Sequence, residues 1–184
     1  MKKFILLAII LFVPFSVQAQ TKTKSSGKPK DAKTSSSKPK TTKSTATVTK
    51  KTYSPVHEYD PERDAEKDLQ EAIAEATKTG KRILLEIGGK WCIWCRYMDE
   101  YFVAKKDLLE YREKNFIMLK INYSPDNKNE TFLSKYPNVA GYPHIFVLEK
   151  DGKLLHSQNT GDLEEGKSYN YDKMSEFLKA WTAK

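Results

Sequence analysis

The chain has few of the side chains that hold metals or tie distant segments together. Its 184 residues include only two cysteines and three histidines. A zinc site takes about four ligands, and His57, His144 and His156 show no tight motif spacing with the cysteine pair. A metal site is therefore not expected. After residue 19 no stretch approaches the roughly 20 apolar residues that a membrane-spanning helix needs. No cysteine directly follows the first apolar run, which excludes lipid attachment through a cysteine there. No nucleotide or flavin motif is present, so no cofactor is expected beyond what the cysteines themselves supply.

What the chain does have is one dense stretch, Gly88-Gly89-Lys90-Trp91-Cys92-Ile93-Trp94-Cys95-Arg96, which contains both cysteines. An apolar run, Ile83-Leu84-Leu85-Glu86-Ile87, precedes it and an amphipathic stretch from Arg96 to about Glu113 follows. The order strand, Gly-rich turn, Cys-x-x-Cys, helix reads as a redox motif rather than a metal site or a staple. A helix beginning near Cys92 places that sulfur among unpaired N–H groups at the positive end of the helix dipole. Such positions lower a cysteine pKa from about 8.5 into a range of roughly 3.5–7.5. Cys95 lies one turn later on the same face, where it can close a small disulfide with Cys92. Cys92 is thus the expected attacking sulfur and Cys95 the resolving one. Structural bridges usually close long loops, and this loop is minimal.

The beginning of the chain differs in kind. Lys2 and Lys3, an apolar run over residues 4–15 and the small-residue pattern Val17-Gln18-Ala19 read as a secretory signal peptide over residues 1–19. The expected location is periplasmic or otherwise extracytoplasmic, where cysteines can be oxidised. Residues 20–53 are rich in Lys, Ser, Thr and Pro and have almost nothing to bury, so they read as a disordered linker. Residues 1–51 hold twelve lysines and one aspartate. The whole chain's net +8 therefore belongs to this stretch, and the remainder is mildly acidic. The basic tail suits contact with an acidic surface; nucleic acid is not expected as a partner of an exported chain.

Residues 54–184 have the composition of one globular domain. Asp60-Pro61-Glu62 reads as a helix start, Leu69, Ile73 and Ala76 recur at helical spacing, and Gly80 stops the helix. Strands are expected over residues 81–87, 116–122, 144–148 and 153–157, with Asp151-Gly152 as a hairpin turn between the last two. A short helix contains Phe132 and Leu133, residues 161–170 read as a polar loop, and a last helix runs from Asp172 to Trp181. The order α-β-α-β-α-β-β-α implies a mixed α/β fold, with a sheet of about four strands and helices on both faces.

Ile83-Leu84-Leu85-Glu86-Ile87, then Trp91-Cys92-Ile93-Trp94-Cys95, then Leu119-Lys120-Ile121-Asn122, then Gly141-Tyr142-Pro143 before a strand, then Asp151-Gly152, resembles a thioredoxin-fold protein. The Trp-Cys-x-Trp-Cys centre is similar to a branch of exported thioredoxin-like domains and departs from the Gly-Pro that ordinary thioredoxin has between its cysteines. The resemblance implies that Pro143 is a cis-proline lying against the cysteine pair, and that Tyr142 helps set substrate preference. It also implies that Glu86, where the family usually has Asp, is a buried acid exchanging a proton with the resolving thiol. A charge whose head reaches solvent is the competing reading of Glu86. Trp91 and Trp94 are expected to cover the disulfide and form a docking surface, with core packing as the alternative for Trp91. Lys90 and Arg96 flank the pair and are candidates to stabilise the thiolate; His144 and His156 read as strand residues without a catalytic role.

The expected function is a thiol–disulfide oxidoreductase. Its cofactor is the redox-active disulfide itself, and its partners are protein thiols and disulfides. As a reductase it would take electrons from another protein, a membrane donor among the candidates, and it is expected to be a monomer. The alternatives are a thioredoxin-fold binding or chaperone-like module with a largely non-catalytic disulfide, and a metal carrier.

Overall fold

A computed structural model describes residues 52–184. The expected signal peptide and all but the last two residues of the expected linker lie outside the described residues. Helix α1 spans Ala65–Thr79. Its cap is Asp64, whose side chain accepts from the N–H groups of Glu66 and Lys67. Asp60 is not the cap; it closes a turn of its own by accepting from the Glu62 N–H at 2.9 Å. Both aspartates have the right chemistry, and the cap falls where the apolar spacing of Ala65, Leu69, Ala72 and Ala76 begins.

Strand β1 is Arg82–Gly88, followed by α2 at Ile93–Ala104, α3 at Lys106–Asn115 and β2 at Phe116–Asn122. The stretch expected to be one helix is two, broken at Lys105 (φ −104, ψ 73). The break lets the second segment turn Leu108 and Arg112 inward, the Arg112 guanidinium lying 4.2 Å from the centre of the Phe102 ring. A short α4 at Glu130–Leu133 precedes β3 at His144–Leu148 and β4 at Leu154–Asn159. Gly152, with φ +88, makes the hairpin turn between them. The expected loop beyond β4 contains a 3₁₀ turn at Thr160–Leu163 and a small ribbon, β5 at Glu164–Glu165 paired with β6 at Ser168–Tyr169. Helix α5, Tyr171–Trp181, is capped by the Asn170 side chain.

The main sheet has the order β2-β1-β3-β4. β1 runs parallel to β2 and antiparallel to β3, and β4 pairs antiparallel with β3. An additional bridge joins Val56 to Leu119 in β2. Side-chain alternation splits the apolar residues between two layers. Ile83, Leu85 and Ile87 join Leu119, Ile121 and Phe146 against α1 and α4, and Tyr53 is packed on this cluster. Leu84, Met118, Ile145 and Val147 face Met98, Phe102, Met174 and Leu178 from α2 and α5. Glu86 and Gly88 share the parity of Leu84, so the end of β1 turns them toward α2.

Candidate functional site

The cysteines lie at the start of α2. Cys92 is its N-cap, and Sγ accepts from the Cys95 N–H at 3.1 Å. The first turn of α2 has no acidic side chain, so nothing there opposes the dipole's pull on a thiolate. Cys92 and Cys95 are joined by a disulfide, with Cα atoms 5.3 Å apart. Both are buried, Cys92 slightly less than Cys95.

Glu86 is buried, 1% exposed, so its head does not escape to solvent. Its Oε1 accepts a hydrogen bond from the Tyr59 hydroxyl and lies 3.8 Å from Lys120 Nζ. Its Oε2 has no hydrogen-bond partner. Lys120 reaches on to Asp99, 2.5 Å away, and its ammonium stands 4.7 Å from the centre of the Tyr59 ring. Tyr59 itself is packed with Cys92 and Cys95 in one cluster. Burial first, and the neighbouring Glu86 charge second, hold the Tyr59 hydroxyl far above its ordinary pKa.

The remaining expected site residues divide. The Tyr142–Pro143 peptide bond is cis. Pro143 is buried, and its carbonyl accepts from Thr160 Oγ1 at 2.5 Å. Tyr142 packs on the cysteine cluster and stacks on Tyr123, ring centres 4.9 Å apart. Its hydroxyl is pushed up to about 12, by burial first and then by Tyr123. Trp91 is 55% exposed and so is not a core residue. Its edge meets Tyr142 and its Nε1 donates to the Tyr123 carbonyl at 2.6 Å. Trp94 is half-buried against the cysteine cluster and meets Tyr97 and Tyr169 edge-on. Arg96 turns away to Glu100, 3.6 Å distant. His144 pairs with Ser157 at 2.8 Å, and His156 stacks on Trp181. Among the described residues no group of three or more His, Cys, Asp or Glu is placed to hold a metal ion.

Three residues of this site were not expected from the sequence to be site residues: Tyr59, Lys120 and Tyr123. Lys120 had a readable signal, a charge inside an apolar run, the same signal that marks Glu86. Tyr59 had none, since it precedes α1 in a segment without periodicity.

A disulfide across the first turn of the helix after β1, with the residue before a cis-proline packed on it, defines a thioredoxin-like dithiol domain. Residues 64–150 match the family model described as thioredoxin-like, and the domain is thioredoxin-like in both sequence and fold. The chain is 33% identical over 100 residues to the thiol:disulfide interchange protein DsbD of Vibrio cholerae serotype O1, an alignment covering 53% of this chain and 16% of that protein. It is 26% identical over 105 residues to DsbD of Actinobacillus pleuropneumoniae, covering 56% of this chain and 18% of that protein. The chain thus spans less than a fifth of the length of these curated relatives. The crystal structure of a disulphide isomerase from Xylella fastidiosa matches with a TM-score of 0.58 at 26% identity, covering 66% of this chain and 94% of that one.

Proposed function

We propose that the chain is an extracytoplasmic thiol–disulfide oxidoreductase acting on protein partners through Cys92 and Cys95. The observation that carries this reading is the disulfide seated at the N-terminus of α2, with the Cys95 N–H aimed at Cys92 Sγ. In the reduced protein that N–H and the helix end favour the Cys92 thiolate. The thiolate attacks a partner disulfide; a mixed disulfide forms and one partner sulfur leaves. Cys95 then loses its proton, with Glu86 as the acceptor, and attacks Cys92. The Cys92–Cys95 bond forms, the bond to the partner breaks, and the partner leaves with two electrons more. The same steps in reverse oxidise a partner.

Protein disulfides are supported as substrates by the interchange and isomerase activities named for the relatives. The exposed Trp91, set edge-on to Tyr142, which in turn stacks on Tyr123, offers an aromatic platform beside the cysteine cluster. It continues into a groove lined by Leu133, Tyr136 and Val139. Electrons come from another protein, for which a membrane thiol donor fits the relatives' interchange chemistry, and the location follows from the signal-like start of the chain. The test is reduction of insulin by a dithiol, with and without the protein. Catalysis by the wild type, loss of it in Cys92→Ser, and accumulation of mixed disulfides in Cys95→Ser are expected. An inactive wild type, or trapping through Cys95 in place of Cys92, overturns the reading.

A further inference from the structure

The geometry points to Tyr59 as the positioning residue through which Glu86 and Cys95 exchange a proton. The inference rests on the roles proposed above for Cys95 and Glu86. Gly88 marks the space that Tyr59 and Cys95 share. A Cβ built on Gly88 would stand 2.5 Å from Cys95 Sγ and 2.7 Å from the Tyr59 hydroxyl oxygen. Both atoms border the space that the missing side chain of Gly88 leaves open, and Tyr59 packs in one cluster with Cys95. On its other side the same hydroxyl donates to Glu86 Oε1. Tyr59 is thus in contact with the acid and with the cysteine pair at once, from a segment that precedes α1.

The surroundings fit a relay better than a plain packing role. A phenylalanine would fill the same space without burying a hydroxyl, and a buried hydroxyl is costly unless bonded. The hydroxyl has a spare lone pair after donating to Glu86. The groups facing it are Glu86 from β1, Lys120 from β2 over the ring, and Cys95 from α2, with Asp99 and Tyr169 as the further charged or titratable neighbours. The high pKa of the phenol keeps it neutral, which lets it pass a proton without holding a charge.

The step balances as follows. In the mixed disulfide the Cys95 thiol gives its proton to the Tyr59 oxygen while the Tyr59 proton moves to Glu86. The Cys95 sulfur bonds to Cys92, the Cys92–partner bond breaks, and the partner leaves as a thiolate. Tyr59 ends unchanged and Glu86 ends protonated. In the opposite direction Cys95 departs as a thiolate and regains its proton from Glu86 by the same route.

The test uses the whole chain, reduced, and an aromatic disulfide that releases a coloured thiolate once when Cys92 attacks and again when Cys95 resolves. Wild type, Tyr59→Phe, Glu86→Gln and the double variant are compared by stopped flow across pH. Tyr59→Phe is expected to leave the first release unchanged and slow the second about tenfold. That is less than the roughly 10²–10⁴-fold contribution of a general base, because water can take the hydroxyl's place. The double variant should be no slower than the slower single one. All variants should converge on wild type above the ordinary thiol pKa of about 8.5, where Cys95 needs no acceptor. A wild-type second release in Tyr59→Phe, with Glu86→Gln slowed, overturns the relay and leaves Glu86 in place. Unchanged second releases in both overturn Glu86's role as well. Additive slowing, or a slowed first release, shows independent or merely packing effects and also overturns the relay.

Discussion

Glu86 and Lys120 are register partners on the adjacent parallel strands β1 and β2, with Lys120 Nζ 3.8 Å from Glu86 Oε1 and both side chains almost wholly buried. From that pair the charge continues outward through Lys120 to Asp99, whose side chain is 48% exposed. A carboxylate inside a sheet is thereby connected to solvent by one ammonium.

Removing one member of such a pair leaves the other charged and uncompensated, which typically costs about 3–5 kcal/mol. Lys120→Met is expected to destabilise the oxidised protein by about 3 kcal/mol, since the Tyr59 hydroxyl still serves Glu86. Urea unfolding measures it. Adding Glu86→Gln to Lys120→Met should restore part of the loss; a double variant worse than Lys120→Met alone would deny the coupling.

Gly88 should not tolerate a methyl group. The atoms it would strike belong to a disulfide and a buried phenol, neither of which can swing aside. Gly88→Ala is expected to cost about 1–3 kcal/mol through overpacking, read as a lowered urea midpoint of the oxidised protein. A midpoint equal to wild type would mean that the space around Cys95 and Tyr59 is looser than the distances indicate.

Trp91 is a surface residue, and the proposed function gives it contacts with a partner. Trp91→Ala is expected to leave the thermal midpoint nearly unchanged and the rate with a small disulfide intact. The KM for a protein disulfide should rise about tenfold or more, as for an aromatic anchor of an interface. Equal KM values for the two proteins would remove the platform from substrate binding.

His144 gives a pH dependence with a definite sign. It is buried, and burial first and the His156 charge second lower its pKa below the ordinary 6.5. On acidification the unfolded chain takes up a proton near 6.5 while the folded protein does not. Stability contributed by neutral His144 is therefore present above about 6.5 and is lost as pH falls from there toward the folded value. Urea midpoints between about pH 7.5 and 5.5 should fall for wild type and fall less for His144→Gln. Parallel slopes would show that other groups carry the acid sensitivity.

The sequence made some of this architecture readable and hid the rest for identifiable reasons. Strands β1 to β3 are mostly apolar runs between turn residues, and the cysteine pair announces the helix that follows. The break at Lys105 was hidden because Ala104-Lys105-Lys106 contains neither Pro nor Gly, and apolar spacing continues past it. The ribbon of β5 and β6 was hidden because its strands are two residues each, too short for alternation to register. Glu86 was legible as the one charge inside the apolar run from Ile83 to Ile87. Its proton-side partner was not, because Tyr59 lies 27 residues upstream and only the folded chain brings the two together.

The bridge between Val56 and Leu119 adds the incoming chain to the edge of β2 and delivers Tyr59 three residues later. The part matching the thioredoxin-like family begins at residue 64, beyond both. A version of the domain trimmed to that boundary would retain Cys92, Cys95 and Glu86 but not the hydroxyl bonded to Glu86. It would also bare the β2 edge for pairing with a neighbouring molecule. Where the gene is cut thus decides whether Glu86 keeps its hydroxyl donor and whether the β2 edge stays covered.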